Sequence, residues 1–168
     1  MGFVRLQRLV YGIRNALRPS RTTKARRVPD PRADADPWLA KILDELGDRY
    51  QLGKDTPDGI QVLRRTARTR FNPMRVYLQP ETKRVVGDYD VRLRGGKSLA
   101  EGRALLDRKV SAPLSQFGVQ PLREAVEEWG GQVIVRRYQG ASADPMVAAA
   151  AVRFICEQSE QVMDASAE

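Results

Sequence analysis

The sequence of 168 residues contains no histidine and a single cysteine, Cys156. Serine–histidine and cysteine–histidine catalysis and histidine-based metal sites all need an imidazole, so these mechanisms cannot be built from this chain. One cysteine forms neither an intrachain disulfide nor a cysteine-rich metal site, so we expect a reducing compartment. Cys156 lies among apolar residues of a predicted C-terminal helix, where we expect a buried structural thiol.

Long apolar runs are also missing from the sequence. No run approaches the roughly 20 apolar residues of a membrane-spanning helix. Arginines interrupt the apolar positions near the N-terminus, so we expect no secretory signal. An arginine-rich and acid-free N-terminus is also typical of organelle transit peptides, but Met1 is retained. We therefore expect an intracellular, cytoplasmic protein.

Acidic side chains are absent from the first 29 residues, although the chain contains 21 of them beside 29 basic side chains. This segment carries eight basic residues, which equals the net charge of +8. Residues 30–168 are therefore formally neutral, and we predict an arginine-rich arm, residues 1–29, on a single folded domain. Such a basic block commonly binds an anionic partner. The candidate contacts are Arg5, Arg8, Arg14, Arg18, Arg21, Lys24, Arg26 and Arg27.

Apolar residues recur at helical spacing in the first half of the arm, which predicts a short amphipathic helix over residues 3–17. Pro19 follows this helix, and residues 20–29 have the low apolar content of extended chain. The predicted docking face of the helix comprises Phe3, Leu6, Val10, Ile13 and Leu17.

Residues 30–168 combine helical and extended patterns, which predicts an α+β domain with a small antiparallel sheet covered by helices. Period-two alternation predicts a β-hairpin over residues 74–94, with a bulge at Gly87, and a third strand over residues 132–138. Residues 51–59 are rich in turn formers and are predicted to form a loop.

Capping signals predict three helices in this domain, which begin at Asp36, Ser98 and Asp144. One further segment is ambiguous. Residues 60–70 fit a helix or an irregular strand, and we favour the helix.

Leu122, Val126 and Trp129 recur at spacings of four and three, which predicts another helix that ends at Gly130. Trp129 is expected in the core or at an interface.

The glycine pair Gly95 and Gly96, followed by Lys97, lies between a predicted strand and a predicted helix, where phosphate-binding loops occur. The P-loop pattern requires a glycine where Val91 stands, so we favour a glycine turn before a capped helix. We predict no metal site, no cofactor and no catalytic constellation, and therefore no enzyme.

A second cluster of arginines lies near Phe71 and Tyr77. One interpretation is a phosphate-binding groove with aromatic stacking. The favoured interpretation is a solvated face whose arginines pair with the carboxylates of a neutral domain. The cluster comprises Arg64, Arg65, Arg68, Arg70 and Arg75.

These patterns favour a non-catalytic structural or adaptor subunit of a larger assembly, which docks on an acidic protein surface through the arm. Nucleic-acid binding, as in a ribosome-associated or genome-packaging protein, is the alternative. Attachment to a membrane surface through the amphipathic helix is a second alternative. No small-molecule substrate is evident from the sequence.

Overall fold

Six antiparallel strands form one sheet in the computed structural model, which describes residues 29–66 and 70–165 and the side chains as far as residue 159. Their order across the sheet is β1-β2-β3-β4-β6-β5. With the helices described below, the domain is α+β, as predicted, and its sheet has three strands more than expected. The strands are β1 Tyr50–Thr56, β2 Gly59–Arg65, β3 Phe71–Gln79, β4 Arg84–Arg92, β5 Gln120–Glu128 and β6 Gln132–Ala141.

Helices precede the sheet, connect β4 to β5 and follow β6. A π-helical turn, Asp107–Ser111, joins the two helices of the connection. In the described part of the chain, no helix has an apolar stretch long enough to cross a bilayer. The helices are α1 Pro31–Ala35, α2 Pro37–Leu46, α3 Leu99–Leu106, α4 Ala112–Ser115 and α5 Pro145–Ala165.

Side-chain caps fix where α2 and α3 begin. The carboxylate of Asp36 accepts hydrogen bonds from the backbone N–H groups of Trp38 and Leu39, at 2.8 and 3.1 Å. Ser98 and Glu101 form a capping box at the start of α3. Both starts confirm the sequence prediction, because the groups that form a cap lie within four residues of each other.

The pairing of β4 with β6 runs without a break from Arg84, opposite Ala141, to Arg92, opposite Val133. Successive side chains of a strand alternate between the faces of a sheet. On β4, Tyr89 therefore belongs to the face that packs against the helices, and its hydroxyl donates to the carbonyl of Ile155 in α5 at 3.1 Å. We call this side the helix face.

The opposite side of the sheet, which we call the open face, carries Asp88 and Asp90 of β4 and Arg137 of β6. Val86 is buried on this face, but it lies outside the main hydrophobic cluster. The core strand residues that the structure describes lie on the helix face, so the sheet is apolar on one side and largely polar on the other.

The predicted bulge at Gly87 is wrong, since Gly87 pairs directly with Tyr138 of β6 in an uninterrupted ladder. The reason for the glycine is packing. A Cβ atom at this position would lie 2.9 Å from the Cδ1 atom of Ile155, so the missing side chain lets α5 approach the sheet.

The predicted helix over residues 60–70 is also wrong, because residues 59–65 form β2. Ile60 and Val62 are buried on the helix face, with Arg64 next in the same alternation. Pairing with β1 and β3 on both sides imposes the extended conformation. Residues 51–56, predicted as a loop, belong to β1, and the turn itself is confined to residues 57–58.

The helix predicted from Leu122, Val126 and Trp129 is wrong as well, because residues 120–128 form the edge strand β5. All three side chains are exposed rather than buried along one helical face. Residues 123–128 pair with β6 in register, and this long-range pairing overrides the helical spacing.

Gly140 of β6 is another glycine that packs closely against its neighbours, and a substitution there tests the packing argument made for Gly87. A Cβ atom there would lie 2.5 Å from the carbonyl oxygen of Gly118 and 2.7 Å from the Cα atom of Val119, neither of which can rotate away. We expect Gly140→Ala to lower the free energy of unfolding by about 1–3 kcal/mol and Tm by roughly 3–10 °C. Calorimetry measures both quantities.

Gly102→Ala is the matched control, because its Cβ would meet only the ends of the Leu93 and Ile134 side chains. We expect a smaller loss for this variant. Equal stability of Gly140→Ala and the native chain would contradict the packing argument.

Candidate interaction site

The N-terminal arm lies outside the described residues, with all eight of its basic side chains and all five apolar residues of its predicted docking face. The described chain begins at Pro29 and enters α1. There Arg32 pairs with Asp30 and with Asp55, each at 2.7 Å, and donates to the carbonyl oxygen of Gly53 at 2.8 Å. This guanidinium ties the start of the folded domain to strand β1.

Basic side chains of the folded domain pair with its own carboxylates. Arginines on α1, α3, β3 and β6 and a lysine between β3 and β4 take part. The pairs are Arg32 with Asp30 and Asp55, Arg75 with Asp90, Lys83 with Asp36, Arg103 with Glu124, Arg136 with Asp107 and Glu124, and Arg137 with Asp58 and Asp88. Six basic side chains of the domain are thus held by its own carboxylates.

Arg137 is the centre of the charge network on the open face. Its Nε and Nη2 atoms donate to the two carboxylate oxygens of Asp88 at 2.7 and 2.8 Å, and its other N–H groups bind Asp58. Hydrogen bonding from Arg137 lowers the pKa of Asp58, and the two carboxylates raise the pKa of Arg137. The guanidinium binds carboxylates of the chain itself.

A depression of about 330 Å³ lies beside this network on the open face. Arg75 and Arg137 line one side, and Arg123 and Glu127 of the edge strand line the other. Both signs of charge are present, so the depression does not select an anion by charge.

Arg136, the neighbour of Arg137 on β6, is the centre of a second charge network on the helix face, where its side chain is only 8% exposed. It donates to Glu124 of β5 at 2.6 and 2.9 Å and to Asp107 after α3. Burial raises the pKa of Glu124, but hydrogen bonds from Arg103 and Arg136 outweigh it, so the pKa lies below its usual value. This network fixes the edge strand to the helical connection.

The second arginine cluster does not share one surface. Arg64 is buried on the helix face and donates to the carbonyl oxygen of Cys156 at 3.1 Å. The next residue, Arg65, points to the open face and stacks over the ring of Phe71 at 5.6 Å. Cys156 is buried, as expected.

The other two described members of the cluster, Arg70 and Arg75, are exposed, unlike Arg64. Arg75 pairs with Asp90 at 2.8 Å. Arg68 lies outside the described residues. Since Arg64 points away from Arg65, the cluster provides no continuous groove that includes all its members.

The loop at Gly95 and Gly96 is a glycine turn before a capped helix. At the start of α3, the backbone N–H of Ser98 donates to the carboxylate of Glu101 at 2.7 Å, which lowers the pKa of this carboxyl group. The chain's own carboxylate thus occupies the place that an anion would take at a helix N-terminus.

Three large apolar side chains on strand β5 or directly after it are exposed. Leu122 is 58% exposed, Val126 is 41% exposed and Trp129, directly after the strand, is 50% exposed. β5 pairs with β6 on one side and forms the edge of the sheet on the other. We call residues 120–129 the β5 edge. The sequence did not reveal this surface, because the spacing of Leu122, Val126 and Trp129 predicts a helix rather than an edge strand.

Comparisons with protein-family models, characterised proteins and solved structures give no match to this chain. Within residues 29–66 and 70–165, no group of three or more cysteine, aspartate or glutamate side chains lies in a metal-binding arrangement. The classification of this chain therefore rests on its fold, which is an α+β domain whose antiparallel sheet packs against helices on one face.

The Arg137 network predicts a dependence of stability on pH. The pKa of Asp58 is lower in the folded chain than in the unfolded chain, so the folded state holds fewer protons on this group. Its stabilising contribution is present above about pH 4 and is lost as the pH falls through the folded pKa. We expect Asp58→Asn to reduce the free energy of unfolding at pH 7 and to have little effect at about pH 2.

Urea unfolding of both proteins from about pH 2 to pH 7 measures this difference. Glu81→Gln is the control, because Glu81 is exposed and forms no ion pair in the described part of the chain. An Asp58→Asn effect that is the same at every pH would contradict a role for the ionised carboxylate.

Proposed function

We propose that this protein is a non-catalytic structural or adaptor subunit that docks on an acidic protein surface through its arginine-rich arm. The observation that carries the proposal is the separation of charge along the chain. Eight basic residues and no acidic residue lie in the first 29 residues, and the rest of the chain is formally neutral. Arginine favours multidentate contacts with carboxylates, which suits an acidic protein.

The folded domain supports this division of roles. Arg75, Arg136 and Arg137 are engaged by carboxylates of the same domain. An external partner would have to displace those carboxylates, at the cost of leaving them unpaired. The net positive charge of the chain, which an anionic partner would neutralise, lies in the arm.

An acidic protein is preferred over nucleic acid for two reasons. Proteins that track phosphates extend a basic surface over the folded domain, whereas Arg64 of the second arginine cluster is buried here and Arg75 is paired. The predicted arm helix also has an apolar face, including Leu6 and Ile13, that suits a groove on a protein.

We expect neutralisation of the arm to prevent incorporation into the native complex. The test variant replaces the eight basic residues of the arm with glutamine in the full-length chain, and the native complex is purified at low salt. The native chain should elute in a large particle with a protein-like ratio of absorbance at 260 to 280 nm, and the variant should elute alone. Unchanged incorporation would refute the proposal.

The matched control neutralises eight exposed basic residues of the folded domain and should leave incorporation intact. An absorbance ratio that falls after nuclease treatment would instead favour nucleic acid. Binding to anionic vesicles alone would favour the membrane surface. The control residues are Lys41, Arg49, Lys54, Arg84, Arg92, Arg94, Arg108 and Lys109.

A further inference from the structure

The two edges of the sheet differ in how they are protected. An edge strand presents backbone N–H and C=O groups that can pair with another strand, and proteins commonly block it with charges, bulges or a covering group. At the β1 edge, the register shifts between Leu52 and Asp55, and the guanidinium of Arg32 binds the carbonyl oxygen of Gly53 at 2.8 Å. The β1 edge is therefore irregular, and Arg32 already binds one of its carbonyl groups.

The β5 edge also carries charged side chains, but it is regular over most of its length. Its one irregularity lies between Pro121 and Arg123, and from Arg123 to Glu128 the strand pairs with β6 in continuous register. Leu122 and Val126 are exposed on it instead of buried. A regular edge strand with exposed apolar side chains is suited to pairing with another strand.

The charged side chains on the open face of β5 could pair with the same side chains on a second copy of the strand. The register with β6 places Arg123, Ala125 and Glu127 on the open face. Within the described part of the chain, neither Arg123 nor Glu127 belongs to an ion pair. Two β5 strands that run antiparallel about a two-fold axis at Ala125 would set Arg123 of each copy opposite Glu127 of the partner subunit.

On the other face, the same register sets Val126 of each copy opposite Glu124 of the partner subunit. Leu122 lies at the irregularity between Pro121 and Arg123, outside this register. The alanine at the axis leaves room for the long side chains on either side of it. The match of the two copies therefore rests on the open face.

We infer that two copies of this chain associate through their β5 edges to form a dimer, in which the two sheets join edge to edge. The partner is a second copy rather than an unrelated strand, because the positions of Arg123 and Glu127 match their own two-fold image. This interface is separate from the arm and is independent of the proposed docking function.

Charge reversal tests the interface. At about 100 μM and low salt, the full-length chain should have twice the 18.9 kDa mass of one chain in sedimentation or light-scattering measurements. Arg123→Glu and Glu127→Arg each replace two attractive pairs with two repulsive ones. We expect each variant alone to dimerise roughly 10- to 100-fold more weakly.

One mixture and one double variant distinguish this register from a general loss of association. An equimolar mixture of Arg123→Glu and Glu127→Arg should form a heterodimer, because each Glu then faces an Arg. The double variant, Arg123→Glu with Glu127→Arg, should recover the homodimer for the same reason. Lys54→Glu and Glu81→Arg, exposed positions away from β5, are controls that should remain dimeric.

Three outcomes would overturn the inference. A monomeric native chain at this concentration would exclude the dimer under the conditions of the test. A dimer unaffected by either charge reversal would place the interface elsewhere. Loss of dimerisation without recovery in the mixture or in the double variant would exclude the Arg123–Glu127 register. Circular dichroism of each variant confirms that these exposed substitutions leave the fold intact.

Discussion

Strands β4 and β6 pair continuously through the middle of the sheet, and this ladder determines which side chains each face carries. Because side chains alternate along a strand, the neighbours Arg136 and Arg137 project to opposite faces. Arg136 joins Glu124 of β5 to the helical connection, and Arg137 joins Asp88 of β4 to the turn between β1 and β2. A register slip of one residue would exchange the two arginines and bury the wrong set of side chains.

The charges of the chain fall into two groups. Arg136 and Arg137 pair with carboxylates of the folded domain, and the surplus positive charge lies in the first 29 residues. The β5 edge provides a further surface, with exposed Leu122 and Val126. A dimer through this edge would carry two arms, and a bivalent subunit binds a surface with two acidic sites more tightly than a single arm does.

Several elements could be predicted from short stretches of sequence. The cap at Asp36 and the capping box at Ser98 involve groups a few residues apart, so their signals are local. The hairpin of β3 and β4 and the strand β6 were recognisable from their alternation. The helix predicted at Leu122 was wrong because the pairing of residues 123–128 with β6 overrides the helical spacing of the apolar residues.

The sequence by itself determined the exclusion of histidine chemistry, the concentration of positive charge in residues 1–29 and the α+β class, because composition and local periodicity do not depend on distant contacts. Tertiary structure decided the number of strands, the burial of Arg64 and the exposure of the β5 edge. Those features depend on pairing between strands far apart in sequence. A residue is paired, buried or left at an edge only once its distant partners are in place.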